Sequence, residues 1–372
     1  MAADEFHRRL DRIREGMKER GVDLLLVYGD SWRYGQLAFI SHFLPKNRGA
    51  MAVIPLEAEP ALLVQEPGRN NAFSKSLTWI EDVHSVGQFA KALSDAIQSR
   101  GLKPKRVGLA CVEEQIGIRE WNALVKVLEG AEICNCGEIL TSLRLVKLPS
   151  EAAFLRETGG ILAQALSLLE RELKVGQKEH EIFAYLDREA RRRGVEDFRF
   201  LVARSSEPQV GLRPANHEPI KKGEGLLVLV AASYQRYWAE LARTYYFGSP
   251  QAAFTRNYDL ASKLFHRLAE GVKPGEDPKV VNDRLGKVPK AVSDSLQAYE
   301  LGNGIGLELY EEPFLGKDGR FQITEGMVLT LRVCLQGGED GSALISEPFR
   351  VTSSGMEALV EQGRDLICIK TP

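Results

Sequence analysis

The chain has 372 residues, with 49 Lys and Arg against 51 Asp and Glu, a formal net charge of −2 and 44% hydrophobic residues. That length is enough for two domains with cores of their own, and the balanced, well-mixed charge excludes a nucleic-acid platform, which needs a basic excess. No apolar run approaches the roughly 18 to 20 residues of a membrane span.

In chain order, Phe6, Leu10, Ile13 and Met17 recur at helical spacing and predict an opening helix that Gly21 ends. This segment is charged and lacks an apolar centre, so it is not expected to act as a signal peptide. Val22 to Tyr28 is a continuous apolar run of strand length, as expected of a strand covered on both faces. Further strands are predicted at Ala50 to Ile54, Ala61 to Gln65 and Val107 to Cys111, with helical patterns near Ser85 to Ser99 and Gly117 to Leu128. Alternating segments of this kind argue an α/β domain. Arg33, Tyr34 and Arg48 fall in a loop-rich stretch between strands. The five cysteines are odd in number and scattered, which points to a reducing cytoplasm rather than a disulfide scaffold. Cys134 and Cys136 form a CxC pair, read as buried or half-buried thiols.

A domain boundary is expected near Leu143 to Ser150, giving domains 1–143 and 144–372. Pro149 disfavours helix at Leu148, Ser150 is a good N-cap, and Glu151 places negative charge in the first turn. Leu155, Leu162, Leu166, Leu169 and Leu173 then give Glu151 to Leu173 a leucine face. Helices follow at Glu179 to Arg193, Arg256 to Gly271 and Pro278 to Leu296. They would back a sheet made from Leu226 to Ala232, Leu241 to Phe247, Met327 to Leu335 and Ala343 to Val351.

The most informative stretch is Gly302 to Pro313, GNGIGLELYEEP. Its alternating glycines let the backbone turn sharply and come close to a neighbour that a side chain would block. The stretch resembles the GHGIGLEVHEEP segment of the creatinase, aminopeptidase P and prolidase family, with Asn303 and Tyr310 where that family has histidines. The resemblance covers almost the whole chain and implies an N-terminal creatinase-like α/β domain followed by a pita-bread α/β (α+β) domain. It also implies a homodimer in which Arg48, just before the strand at Ala50, reaches the partner's site. A solvated loop arginine is the alternative for Arg48.

The metallopeptidases of that family hold two divalent ions on oxygen ligands and one imidazole. Position by position, the resemblance puts Leu229, Glu240, Asn303, Arg332 and Glu347 at the five ligand sites, the last with a one-residue ambiguity. Leu229 has no lone pair to donate, and Arg332 reverses the charge of a ligand. Two unit charges about 4 Å apart repel by about 4 kcal/mol at an effective dielectric of 20, so metal binding is not expected and no cofactor is implied. Arg332 is instead expected between Glu240 and Glu347, holding the two carboxylates together.

The metal-free creatinases use a histidine in an H-x-P segment, which here reads Leu212-Arg213-Pro214; the nearest histidine is His217, a candidate base or a surface residue. Tyr237, Glu240, Arg243, Asn303, Tyr310, Arg332 and Glu347 are expected to converge on a pocket for a small anionic or zwitterionic ligand. A buried ion network that merely preserves the fold is the alternative. Three functions stay open: a metal-independent hydrolase of small C–N substrates with Glu240, Glu347 or His217 as acid or base, an inactive binding homologue, and a metal-dependent Xaa-Pro peptidase.

Overall fold

A computed structural model describes residues 3–46, 48–205, 207, 211–316, 320–336, 341–361 and 363–370. The chain forms two compact units, Met1–Arg144 and Leu145–Pro372.

The first unit runs α1 (Ala3–Glu19), β1 (Leu24–Gly29), α2 (Gly35–Ser41), β2 (Ala50–Pro55), β3 (Ala61–Gln65), α3 (Asn71–Lys75), β4 (Asp82–Val86), α4 (Phe89–Ser99), β5 (Arg106–Ala110), α5 (Val112–Gln115), α6 (Ile118–Val127), β6 (Glu132–Asn135) and α7 (Gly137–Leu145). Its six strands lie in the order β4-β3-β2-β1-β5-β6. β1 and β2 are buried at every position, as the unbroken apolar run of Val22 to Tyr28 requires of a central strand. The predicted helix at Ser85 begins only at Phe89, because Asp82 to Val86 is taken up as a parallel neighbour of β3.

The second unit continues with α8 (Pro149–Glu170), α9 (Glu179–Arg191), β7 (Asp197–Arg204), β8 (Gly225–Tyr234), β9 (Tyr237–Phe247), α10 (Ala252–Gly271), a 3-10 segment (Pro278–Leu285), α11 (Lys290–Tyr299), β10 (Gly302–Gly304), β11 (Glu311–Phe314), β12 (Val328–Leu335), β13 (Ala343–Thr352), β14 (Gly355–Ala358) and β15 (Ile367–Ile369). Pro149 takes the first helical position of α8, so the N-cap is Leu148 rather than the expected Ser150, which lies inside the first turn; Glu151, acidic in that turn as expected, accepts from the Leu148 N–H. The predicted helix Pro278 to Leu296 is instead two pieces. Gly286, at φ 72°, and Pro289 interrupt it.

Seven strands follow the order β11-β10-β12-β13-β9-β8-β7, with β14 added beside β13 and β15 beside β9. This half-barrel has two faces set by strand alternation. On one, Leu329, Leu331, Val333 and Ile345 pack with Ala261, Leu264, Phe265 and Leu268 of α10. The same face carries Ala239 of β9 against Gly159 of α8. On the other, Ala203, Leu227, Leu229, Ala242, Cys334 and Leu344 form a smaller cluster that Leu201, Leu212 and Tyr299 flank.

Candidate functional site

The motif Gly302 to Pro313 supplies the edge of this second face. β10 lies between β11 and β12, with Gly302 opposite Leu331 and Asn303 opposite Thr330. A Cβ at Gly302, whose φ is 141°, would overlap the Thr330 carbonyl, and one at Gly304 would overlap that of Glu312. The glycines are therefore what allows three backbones to lie this close.

Glu240 and Arg332 meet on the smaller-cluster face. One carboxylate oxygen of Glu240, Oε1, accepts from Arg332 Nε at 3.0 Å and Nη2 at 2.7 Å, and from Ser346 Oγ at 2.6 Å. The Glu240 side chain is 0% exposed and that of Arg332 7%. Burial works against the charge on Arg332, but the Glu240 carboxylate more than offsets it and pushes the guanidinium above its ordinary value. The other oxygen of Glu240, Oε2, is buried with no hydrogen-bond partner among the described residues, as are Asn303 Oδ1 and Thr330 Oγ1 on the same face. Asn303 spends both amide hydrogens on the carbonyls of Gly304 and Leu309, at 2.7 and 3.0 Å.

Over this face lies a cavity of about 570 Å³, lined by Leu201, Leu212, Leu229, Tyr299, Tyr310 and Arg332 among others. Arg332 also donates from Nη1 to the Tyr299 carbonyl at 3.3 Å. Tyr310 is 49% exposed. Desolvation and the nearby Glu240 charge push its phenol above the ordinary value against the opposing pull of Arg332 and Arg199.

Three residues expected in this pocket stand on the opposite face. Tyr237 and Arg243 have odd positions on β9, whereas Glu240 and Ala242 have even ones, and successive side chains of a strand point opposite ways. Tyr237 donates its hydroxyl to Glu151 of α8 at 2.8 Å and stacks on Phe154. Arg243 donates to Glu347 Oε1 at 3.0 Å, and Arg364, which sequence reasoning did not single out, holds Glu347 Oε2 at 2.9 Å. Arg332 thus does not bridge Glu240 and Glu347. The one-residue ambiguity in β13 resolves to Ser346, which pairs with Arg332 and Ala242 across neighbouring strands and faces Glu240.

The H-x-P comparison also resolves. Leu212 lines the cavity, while Arg213 turns away to bind Glu179 at 2.7 Å and Glu207 at 2.8 Å. His217 is exposed, 4.4 Å from the ring of His180 between centroids, and does not line the cavity. Arg48 is exposed in the first unit, where it lines a separate cavity of about 410 Å³ with Phe43, Lys46 and Phe73.

Among the described residues no group of three or more His, Cys, Asp or Glu side chains is arranged to hold a metal ion, and no helix is long and apolar enough to cross a membrane.

Residues 153–353 match the metallopeptidase family M24 and residues 9–146 the creatinase/prolidase N-terminal domain. An Xaa-Pro dipeptidase of Pyrococcus horikoshii is 23% identical over 98% of this chain and 100% of its own. The ectoine hydrolase of Halomonas elongata is 21% identical over 98% of this chain and 97% of its own. Among solved structures, the prolidase of Pyrococcus horikoshii superimposes with a TM-score of 0.84 at 21% identity, covering 97% of this chain and 100% of that one. The Xaa-Pro dipeptidase of Bacillus anthracis gives 0.83 at 18% identity, covering 98% and 99%. The paired glycines of β10, the half-barrel that they close and the two family matches lead to one conclusion: this chain is a member of metallopeptidase family M24, with a creatinase/prolidase-type N-terminal domain ahead of its pita-bread domain.

Proposed function

We propose that this chain is a metal-independent member of the family whose half-barrel cavity binds a small zwitterionic molecule, such as an amino-acid derivative, in place of two divalent ions. The observation that carries this reading is the double donation from Arg332 to Glu240. Two divalent ions need several anionic oxygen ligands. The corresponding positions here are Leu229, Glu240, Asn303, Arg332 and Ser346, a set with one carboxylate already neutralised by a permanent cation. The family's metal pair does not fit this donor set.

The ligand class follows from the lining. Arg332 reaches the cavity with donor capacity left over for a carboxylate, the unpartnered acceptors Glu240 Oε2 and Asn303 Oδ1 lie beneath the same face, and three leucines suit an apolar body. Binding is favoured over C–N hydrolysis because the expected acid and base groups are not assembled. Glu347 is held by two guanidiniums on the opposite face, and His217 stands outside the cavity.

A second reading, a metal-dependent Xaa-Pro dipeptidase, is favoured by the printed names of several relatives. Elemental analysis of the purified protein, with and without added manganese or cobalt, separates the two. Thermal shift against N-methylated amino acids, guanidino acids and Xaa-Pro dipeptides, with product detection by mass spectrometry, then tests the first. A stabilising ligand that is recovered intact from a metal-free protein supports it. Two bound metal equivalents with chelator-sensitive Xaa-Pro cleavage overturn it.

A further inference from the structure

The first unit contains a pair of thiols that the half-barrel site does not use. Cys134 lies on β6, Cys136 one residue beyond that strand, and their sulfur atoms are 3.7 Å apart. Residues two apart on an extended chain point to the same side, which is why the CxC spacing brings the sulfurs together. Gly108, on the neighbouring β5, makes the room: a Cβ there would lie 2.8 Å from Cys136 Sγ. Cys136 is 1% exposed, whereas Cys134 is half-buried and reachable.

The spacing discriminates between the reactions open to two thiols. An extended chain advances about 3.3 Å per residue, so the Cα atoms of Cys134 and Cys136 are separated by roughly 6.6 Å, at the upper end of what a disulfide tolerates. Two bonds of about 2.3 Å from one central atom at a near-tetrahedral angle span a sulfur separation of roughly 3.8 Å, close to the distance already present. The pair is preset for a bridging atom rather than for a direct S–S bond. Zinc needs about four donors, and no group of three or more His, Cys, Asp or Glu ligands occurs among the described residues. A trivalent metalloid that keeps one substituent of its own needs only these two.

We propose that Cys134 and Cys136 form a dithiol site that captures a trivalent arsenical through both sulfurs. The hydrated arsenical RAs(OH)₂ condenses first with the accessible Cys134 thiol, forming one As–S bond and releasing one water. It then closes on Cys136, forming the second As–S bond and releasing the second water, with no change of oxidation state. Burial, the neighbouring Cys134 thiol and its charge raise Cys136 to about 11 against the opposing effect of Arg20 and Arg106. Cys136 is therefore a protonated thiol in the resting pair and closes only after Cys134 has been engaged. Closure is intramolecular, so the second bond forms at high effective concentration and resists competing monothiols.

The test uses the full chain and phenylarsine oxide, read by intact mass. The expected result is one phenylarsenic adduct that survives excess 2-mercaptoethanol and is removed by 2,3-dimercaptopropanol. Cys134→Ser and Cys136→Ser should each abolish the monothiol-resistant adduct, while Cys111→Ser and Cys368→Ser leave it intact. An adduct that persists in either Cys134→Ser or Cys136→Ser, or one that 2-mercaptoethanol strips from the unaltered chain, overturns the proposal. So does rapid loss of two hydrogens on mild peroxide treatment mapping to a Cys134–Cys136 disulfide, since the spacing favours a bridging atom over direct closure. Circular dichroism of each variant reports whether it has folded.

Discussion

Arg332→Met removes the only guanidinium bonded to Glu240 among the described residues and leaves that carboxylate, 0% exposed, with the Ser346 hydroxyl as its remaining donor among them. Breaking a buried pair by removing one partner costs about 3–5 kcal/mol, because the other charge stays in a poorly solvating environment. For a unit of this size each kcal/mol corresponds to roughly 2–4 °C, so the melting temperature should fall by about 6–20 °C. The double variant Arg332→Met/Glu240→Leu removes both charges and should recover most of that loss, since apolar replacement of a whole buried pair is often neutral or better. Trp238, buried two residues before Glu240, reports the local transition once Trp32, Trp79 and Trp121 are phenylalanine. Thermal unfolding followed by Trp238 fluorescence, in chelator and at low and high salt, measures the cycle; burial predicts little salt dependence. A loss below about 1 kcal/mol in the single variant, or a double variant no more stable than the single, would refute the claim that a buried ion pair occupies this position.

The two faces of the sheet predict separable effects. Glu347→Gln weakens the contacts to Arg243 and Arg364 and should lower the unfolding temperature while leaving the dissociation constant of a cavity ligand unchanged in calorimetric titration. Leu212→Trp, in the cavity wall, should do the reverse, reducing the ligand-induced thermal shift at least tenfold in ligand concentration with little effect on the free protein. Glu179 loses hydration on burial, but donors from Arg213, the Asn216 N–H and Arg204 outweigh that and hold its carboxyl below the ordinary value. Its contribution is therefore fully present above the unfolded-state pKa near 4.3 and disappears as pH falls through the lower folded value. Urea midpoints measured down that acid limb should fall in the unaltered chain, and Glu179→Gln should be less stable at neutral pH with a flatter limb. Gly302→Ala, which forces a Cβ against the Thr330 carbonyl at φ 141°, should cost roughly 3 kcal/mol or more by the same unfolding assay.

What was legible in the sequence and what was not divide along one physical line. The glycines of the 302–306 stretch state a requirement of the backbone itself, and a backbone requirement survives intact in a single sequence. The same holds for Pro149 with Glu151, whose capping role depends only on local geometry. The Glu240–Arg332 pair was readable because a reversed charge in a buried position demands a compensating partner, and Glu240 was the acidic group at hand. The partners of Glu347 were not readable, because which face a strand residue takes depends on register, and a slip of one residue inverts it. Ser346 and Glu347 are adjacent on β13, yet one faces Glu240 and the other is held by Arg243 and Arg364 on the opposite face. Pooling Tyr237, Arg243 and Glu347 with Glu240 ignored that alternation, although the odd and even positions along β9 already separated Tyr237 and Arg243 from Glu240. Once the parity is respected, the polar inventory makes sense as two independent balances. Each buried carboxylate has its own guanidinium supply, one for Glu240 and two for Glu347, and neither supply can serve the other through the sheet. Changing Arg332 alone to an acidic residue would therefore leave Glu240 facing a like charge with no cation available from the helix-covered side. The positions of Glu240 and Arg332 are coupled, and a single substitution cannot convert one charge balance into the other.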